Sequence, residues 1–160
     1  MLKPSRIAIT LATVLCAACS TGTTPPTDPV TRDIHAIGLT GTTWRLHAIQ
    51  SMDDVQGTTR PQSDRIYTMQ LTPDGRAAFQ LDCNRGMTSY THDASSGAIS
   101  FGNVALTRAM CPPGSLDTRI ARDMGHVRSY SIRGDTLSMS MMADGGIYVW
   151  KAGATTKPAP

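Results

Sequence analysis

The stretch IYTMQLTPDGRAAFQLDC, residues 66–83, decides the fold. Tyr67, Met69 and Leu71 recur at period two, and beyond a short interruption Ala77, Phe79, Leu81 and Cys83 do the same. Successive side chains of a strand point to opposite faces, so each run predicts a half-buried strand with those residues inward. Thr72-Pro73-Asp74-Gly75 joins them, Pro73 presetting φ for a turn and Gly75 able to take a positive φ. The product is an antiparallel hairpin, which needs further strands to bury its apolar face.

Outward from the hairpin the same period returns. Thr42 to Ile49 places Trp44, Leu46 and Ala48 on one face and His47 on the other, toward solvent. Trp44 and Trp150 read as core or sheet-edge packing. Ala98 to Phe101 and Val104 to Thr107 predict short strands separated by Gly102-Asn103. Ser129 to Arg133, Thr136 to Met141 and Ile147 to Trp150 predict a meander with turns at Gly134-Asp135 and Asp144-Gly145-Gly146. Between the two groups, Leu116, Ile120, Met124 and Val127 fall at helical spacing after Pro112-Pro113-Gly114. They predict one amphipathic helix from Ser115 to about His126, with Ser115 as its cap and Asp117 in its first turn. Ser51 to Asp64 has no periodicity and predicts a surface loop. The expectation is a mainly β (α+β) domain: an antiparallel sheet or open barrel of about eight strands, crossed by one amphipathic helix.

Composition agrees. All twelve acidic residues are Asp, none is Glu, and Gly and Thr are abundant, which disfavours helix and favours strands and turns. The net charge of +3 includes Lys3 and Arg6 near the N-terminus. Without those two the balance is nearly even, which gives no electrostatic case for nucleic acid.

The N-terminus reads as a signal. Lys3 and Arg6 precede the apolar run Ile7 to Ala18, whose twelve residues are too few for the roughly 20 that a membrane span requires. Small residues lead directly to Cys19, the layout of a bacterial lipoprotein signal whose cysteine is acylated and becomes residue one of the mature chain. The expected organisation is a signal over 1–18, acylated Cys19 opening a flexible Thr- and Pro-rich tether over 19–38, a domain over 39–151 and a disordered tail over 152–160. Ser20, where Asp would favour inner-membrane retention, points to the outer membrane, and the expected location is its periplasmic side. More than one acyl chain would hold the domain there durably.

Cys16 leaves with the signal and Cys19 takes the lipid, so Cys83 and Cys111 remain as a pair in an oxidising compartment. A disulfide is the expectation, with a metal site and a nucleophilic thiol as rivals. Zinc would require two more nearby ligands, whereas His92 and His126 are isolated in sequence. Met139, Met141 and Met142 suggest a soft-metal cluster, but Leu137, Met139 and Met141 alternate as a core strand does, so no metal or other cofactor is expected. Asn84, Arg85 and Arg108 flank the cysteines. Their simplest role is to bond backbone carbonyls and Asp82 or Asp135 around the bridge; the rival is a small anion or ligand pocket. No Gly-x-Ser-x-Gly or His-Glu-x-x-His occurs, and no catalytic residues are assigned.

Asp82-Cys83-Asn84-Arg85, Tyr90 and Thr107-Arg108-Ala109-Met110-Cys111-Pro112, with the opening Gly41-Thr42-Thr43-Trp44-Arg45-Leu46, resemble the META domain of the HslJ-like heat-shock lipoproteins. The likeness spans nearly all of Leu39 to Trp150. The family usually has Gly where Asp82 stands, an aromatic soon after Arg85, and Met before Ala where this chain has Ala109-Met110. The resemblance implies a compact antiparallel β domain with one helix in a bacterial envelope protein, linked to heat shock and novobiocin resistance, and implies no established enzymatic activity. The expectation is a non-enzymatic, lipid-anchored envelope protein with a role in stress or antibiotic tolerance, binding an unidentified protein or small molecule. The alternative is an inhibitor or binder of a secreted hydrolase, with the Ser51 to Asp64 loop entering a cleft.

Overall fold

A computed structural model describes residues 37–52 and 57–153. The signal segment, Cys16, Cys19, the tether as far as residue 36 and the tail from residue 154 lie outside the described residues. Among those described are ten strands and one helix: β1 (Thr43–Gln50), β2 (Thr58–Thr59), β3 (Tyr67–Leu71), β4 (Arg76–Leu81), β5 (Asn84–Asp93), β6 (Ala98–Phe101), β7 (Ala105–Leu106), α1 (Asp117–Met124), β8 (Val127–Arg133), β9 (Thr136–Met141) and β10 (Ile147–Ala152).

Eight strands close into an antiparallel barrel in the order β1, β3, β4, β5, β6, β8, β9, β10, with β10 returning to β1. The short β2 and β7 add to β1 and β5. Closure is the feature that a sheet or open barrel did not anticipate. It runs from Trp44 opposite Ala152 to Gln50 opposite Ile147, with a bulge between Leu46 and Ala48. The bulge turns both Ala48 and Ile49 inward and leaves His47 exposed. Gly146 makes the approach possible: its φ is +107°, and a Cβ there would stand 2.4 Å from the Gln50 carbonyl oxygen. The weakest seam is between β6 and β8, which share one bridge, Ala98 with Ser129.

An eight-stranded barrel is just wide enough for its own side chains to fill. Here Trp44, Tyr67, Met69, Leu71, Leu81, Leu137, Met139, Tyr148 and Trp150 are all fully buried, joined by Ile120 and Met124 from α1. Tyr67, Met69 and Leu71 face Leu81, Phe79 and Ala77 across the β3–β4 hairpin, and all six point inward. Eight residues are too few for an isolated helix to persist, so α1 depends on this packing.

Several expectations need correction. Cys83 does not continue the inward face of β4: the strand ends at Leu81, Asp82 takes φ +57°, and Cys83 is exposed in the turn. Asn84 to Asp93, for which no strand was expected, forms the ten-residue β5. The Ser51 to Asp64 segment includes β2, paired with β1. The Val104 to Thr107 strand is reduced to β7, and the last strand continues one residue into the expected tail, through Ala152. The helix stops at Met124, and Val127 opens β8 instead of extending the helix. Leu116, not Ser115, occupies the N-cap position; the Ser115 hydroxyl accepts from the Asp117 N–H at 3.4 Å, and the Tyr67 hydroxyl takes the Leu116 N–H at 2.9 Å.

Candidate functional site

The turn between β4 and β5 carries the cysteine motif. Cys83 and Cys111 are joined, with sulfurs 2.02 Å apart, tying this turn to the loop that runs from β7 to α1. Asn84, the first residue of β5, points inward and is 2% exposed. Its Nδ2 donates to the Ala109 carbonyl at 3.0 Å and to Asp117 Oδ2 at 2.9 Å, and lies 3.3 Å from Cys111 Sγ. Its Oδ1 accepts from the Thr107 hydroxyl at 2.7 Å and the Ala109 N–H at 2.8 Å. A buried amide with both ends satisfied is a structural hub, since each group would otherwise have to be desolvated without a partner. It holds the Thr107 to Cys111 loop from behind and fixes the start of α1. Burial alone would raise the Asp117 carboxyl, but the Thr118 N–H, with Asn84 and Ser115, outweighs it and the net shift is downward.

The loop so braced is exposed. Thr107, Arg108, Ala109, Pro112 and Pro113 face solvent, and Met110 is 99% exposed. Arg85 is exposed and donates through Nε to Gln80 Oε1 at 3.3 Å. Neither Arg85 nor Arg108 reaches Asp82 or Asp135, contrary to expectation. Asp135 pairs with Lys151 at 2.9 Å. Asp82 pairs with Arg65 at 2.7 Å, and the same guanidinium donates to the carbonyls of Pro112 at 3.2 Å and Pro113 at 2.9 Å. Arg65 thus clamps both arms of the disulfide. No local pattern could have revealed it, because its partners come from distant segments. Among the described residues, no three His, Cys, Asp or Glu gather as a metal site. Met139 lies in the core while Met142 is 46% exposed.

A second polar cluster lies along α1. Asp123 is 8% exposed and accepts from the Tyr148 hydroxyl at 2.7 Å. Burial, reinforced by that carboxylate, pushes the Tyr148 hydroxyl far above its ordinary value, so it remains a neutral donor. Arg122 Nε stands 3.1 Å and Arg119 Nε 3.6 Å from the same carboxylate. Beside them a cleft of about 500 Å³ opens between α1 and the β9–β10 connection. The sequence reading missed this cluster. Its signal was an Asp next to the buried helix positions Ile120 and Met124, where an unpaired charge would be costly.

These features can be set beside known proteins. Among curated proteins no match was found. A solved structure of a protein from Burkholderia xenovorans is 23% identical, with TM-score 0.58 over 72% of this chain and 84% of that one. A DUF4847 family protein from Bacteroides vulgatus is 11% identical, with TM-score 0.52 over 72% of this chain and 94% of that one. At these identities the likeness shows the fold alone. The sequence profile of the META domain matches residues 38–153, the whole barrel with its disulfide, and this chain belongs to the META domain family.

Proposed function

We propose that this is a non-enzymatic, lipid-anchored protein of the bacterial envelope, held by acylated Cys19 at the periplasmic face of the outer membrane, that acts in stress or antibiotic tolerance by binding. The observation that carries the binding role is the packed barrel: its interior is filled by its own aromatic and methionine side chains, so recognition falls to the outside. The anchor rests on Lys3, Arg6, the apolar run to Ala18, and Cys19. The stress role rests on the family resemblance. Mass spectrometry of protein from membrane fractions should find Cys19 as an acylated first residue, and deletion should sensitise cells to heat and hydrophobic antibiotics. A free, uncleaved N-terminus would overturn the anchor, and an unchanged deletion strain the stress role.

The second reading, a binder of a secreted hydrolase, is favoured by one observation on a different loop from the one expected. Thr107 to Pro113 is exposed, carries Met110 at its tip, and is braced by Asn84, Arg65 and the disulfide. A loop already rigid loses little freedom when it enters a cleft. Inhibition of secreted proteases by the purified protein, relieved by Arg108→Ala or Met110→Ala, is the outcome this reading requires. Cleavage of the loop without inhibition would refute it.

A further inference from the structure

The cleft beside α1 joins two kinds of surface. One wall is cationic: Arg119 and Arg122, three residues apart, present their guanidinium groups on the same side of the helix. Both are oriented through Nε by Asp123, whose carboxylate also holds the neutral Tyr148 hydroxyl. One buried anion therefore positions two cations, and a positive charge is left over. Arg122 keeps 69% of its side chain exposed. Arg128, which does not line the cleft, reaches Met142 Sδ with its Nη2 at 3.3 Å. Two arginines thus share one aspartate in the cleft, which His126 also lines.

The other wall is apolar and adaptable: Met141, the half-exposed Met142 and Ala143. Methionine reshapes readily around aliphatic groups. Past Arg122 and His126, a second cleft of about 500 Å³ lined by Val104, Leu106 and Ala121 continues the apolar surface over α1. A neutral apolar guest would leave the paired guanidiniums desolvated without a counter-charge, and an inorganic anion would leave the methionine wall bare.

We propose that this cleft binds a single-chain anionic amphiphile dissolved as a monomer, its carboxylate or phosphate head on Arg119 and Arg122 and its aliphatic chain on Met141 and Met142. This goes beyond the function proposed above, and because binding is independent of the anchor, its failure leaves that reading standing.

The test uses the full chain with 13C-labelled methionine methyls. Decanoate, kept below its micelle concentration, should shift the Met141 and Met142 resonances saturably and leave those of core Met69 and Met139 in place. Decanol and inorganic phosphate, each carrying half of the recognition, should bind at least about tenfold more weakly. Arg122→Gln should weaken decanoate about tenfold. Met142→Glu, at an exposed position that does not touch Asp123, should do so without disturbing the core resonances. Equal binding of decanol, absence of saturation, unchanged affinity in both variants, or shifts produced only by phosphatidylglycerol vesicles would each overturn the proposal.

Discussion

Arg65 Nη1 lies 2.7 Å from Asp82 Oδ2, and the residue it grips has a left-handed backbone, φ +57°. A Gly would take that conformation without steric cost, and the family usually has one there; Asp tolerates it and supplies a carboxylate in return. The pair is mostly buried, and Arg65 also holds the Pro112 and Pro113 carbonyls. Arg65→Ala should destabilise the domain by about 2 kcal/mol, because it strands a carboxylate and two carbonyls together. Asp82→Gly should cost less than Asp82→Ala, since Gly recovers backbone strain. Urea denaturation of the three variants measures this, and equal losses for Gly and Ala at position 82 would count against the strain.

Asn84 and the disulfide support the same loop from two sides. Reducing Cys83–Cys111 should lower stability by at most about 3.6 kcal/mol, from the entropy of the chain segment it closes. Asn84→Ala should cost about 2–4 kcal/mol even with the bridge intact, because Ala109 and Asp117 lose buried partners. Combining the two should give a non-additive loss, since both hold one loop. Strict additivity in thermal unfolding would separate them.

Ala143 and Asp144 are consecutive non-glycine residues in the left-handed region, φ +50° and +56°. Ala143→Gly removes the Cβ that makes this unfavourable and should stabilise the domain by about 0.5–1 kcal/mol. A fall in melting temperature would show that the turn is relaxed as it stands.

Acid should weaken the fold through depressed carboxyls. The hydroxyls of Ser95 and Ser96 hold Asp93 down to about 2, and Asp117 is lowered as described above. A carboxyl whose folded value is lowered contributes stability that is fully present above its unfolded value, about 3.9, and lost as pH falls through the folded value. The melting temperature should therefore hold from pH 7 to 5 and decline between about pH 4 and 2. The double variant Asp93→Asn, Asp117→Asn should be less stable at neutral pH and decline less steeply. An unchanged slope would assign acid sensitivity to other groups.

What the sequence revealed followed burial. The β3–β4 hairpin, the β8–β10 meander and α1 were legible because apolar residues repeat at period two or at helical spacing. β5 was not, because its inward positions include Asn84 and Gly86, neither of which signals a core. Gly86 is inward for a steric reason: a Cβ there would meet Val104 Cγ1 at 2.8 Å, so its absence lets the β7 segment pack down. The cysteines and Asn84 were picked out by their motif. Arg65 and the Asp123 cluster depend on which distant segments meet, and periodicity carries no information about that.

Because β10 completes the ring beside β1, with the Gly153 N–H donating to the Thr43 carbonyl at 2.7 Å, the first and last segments of the domain are neighbours. A chain emerging N-terminus first therefore has no partner for one flank of β1 until its final strand appears. Such long-range pairing slows folding, and here it defers closure of the ring until β10 has been made. The same adjacency means that joining the domain's two ends with a short linker and opening the chain at an exposed hairpin should yield a permuted barrel of the same architecture.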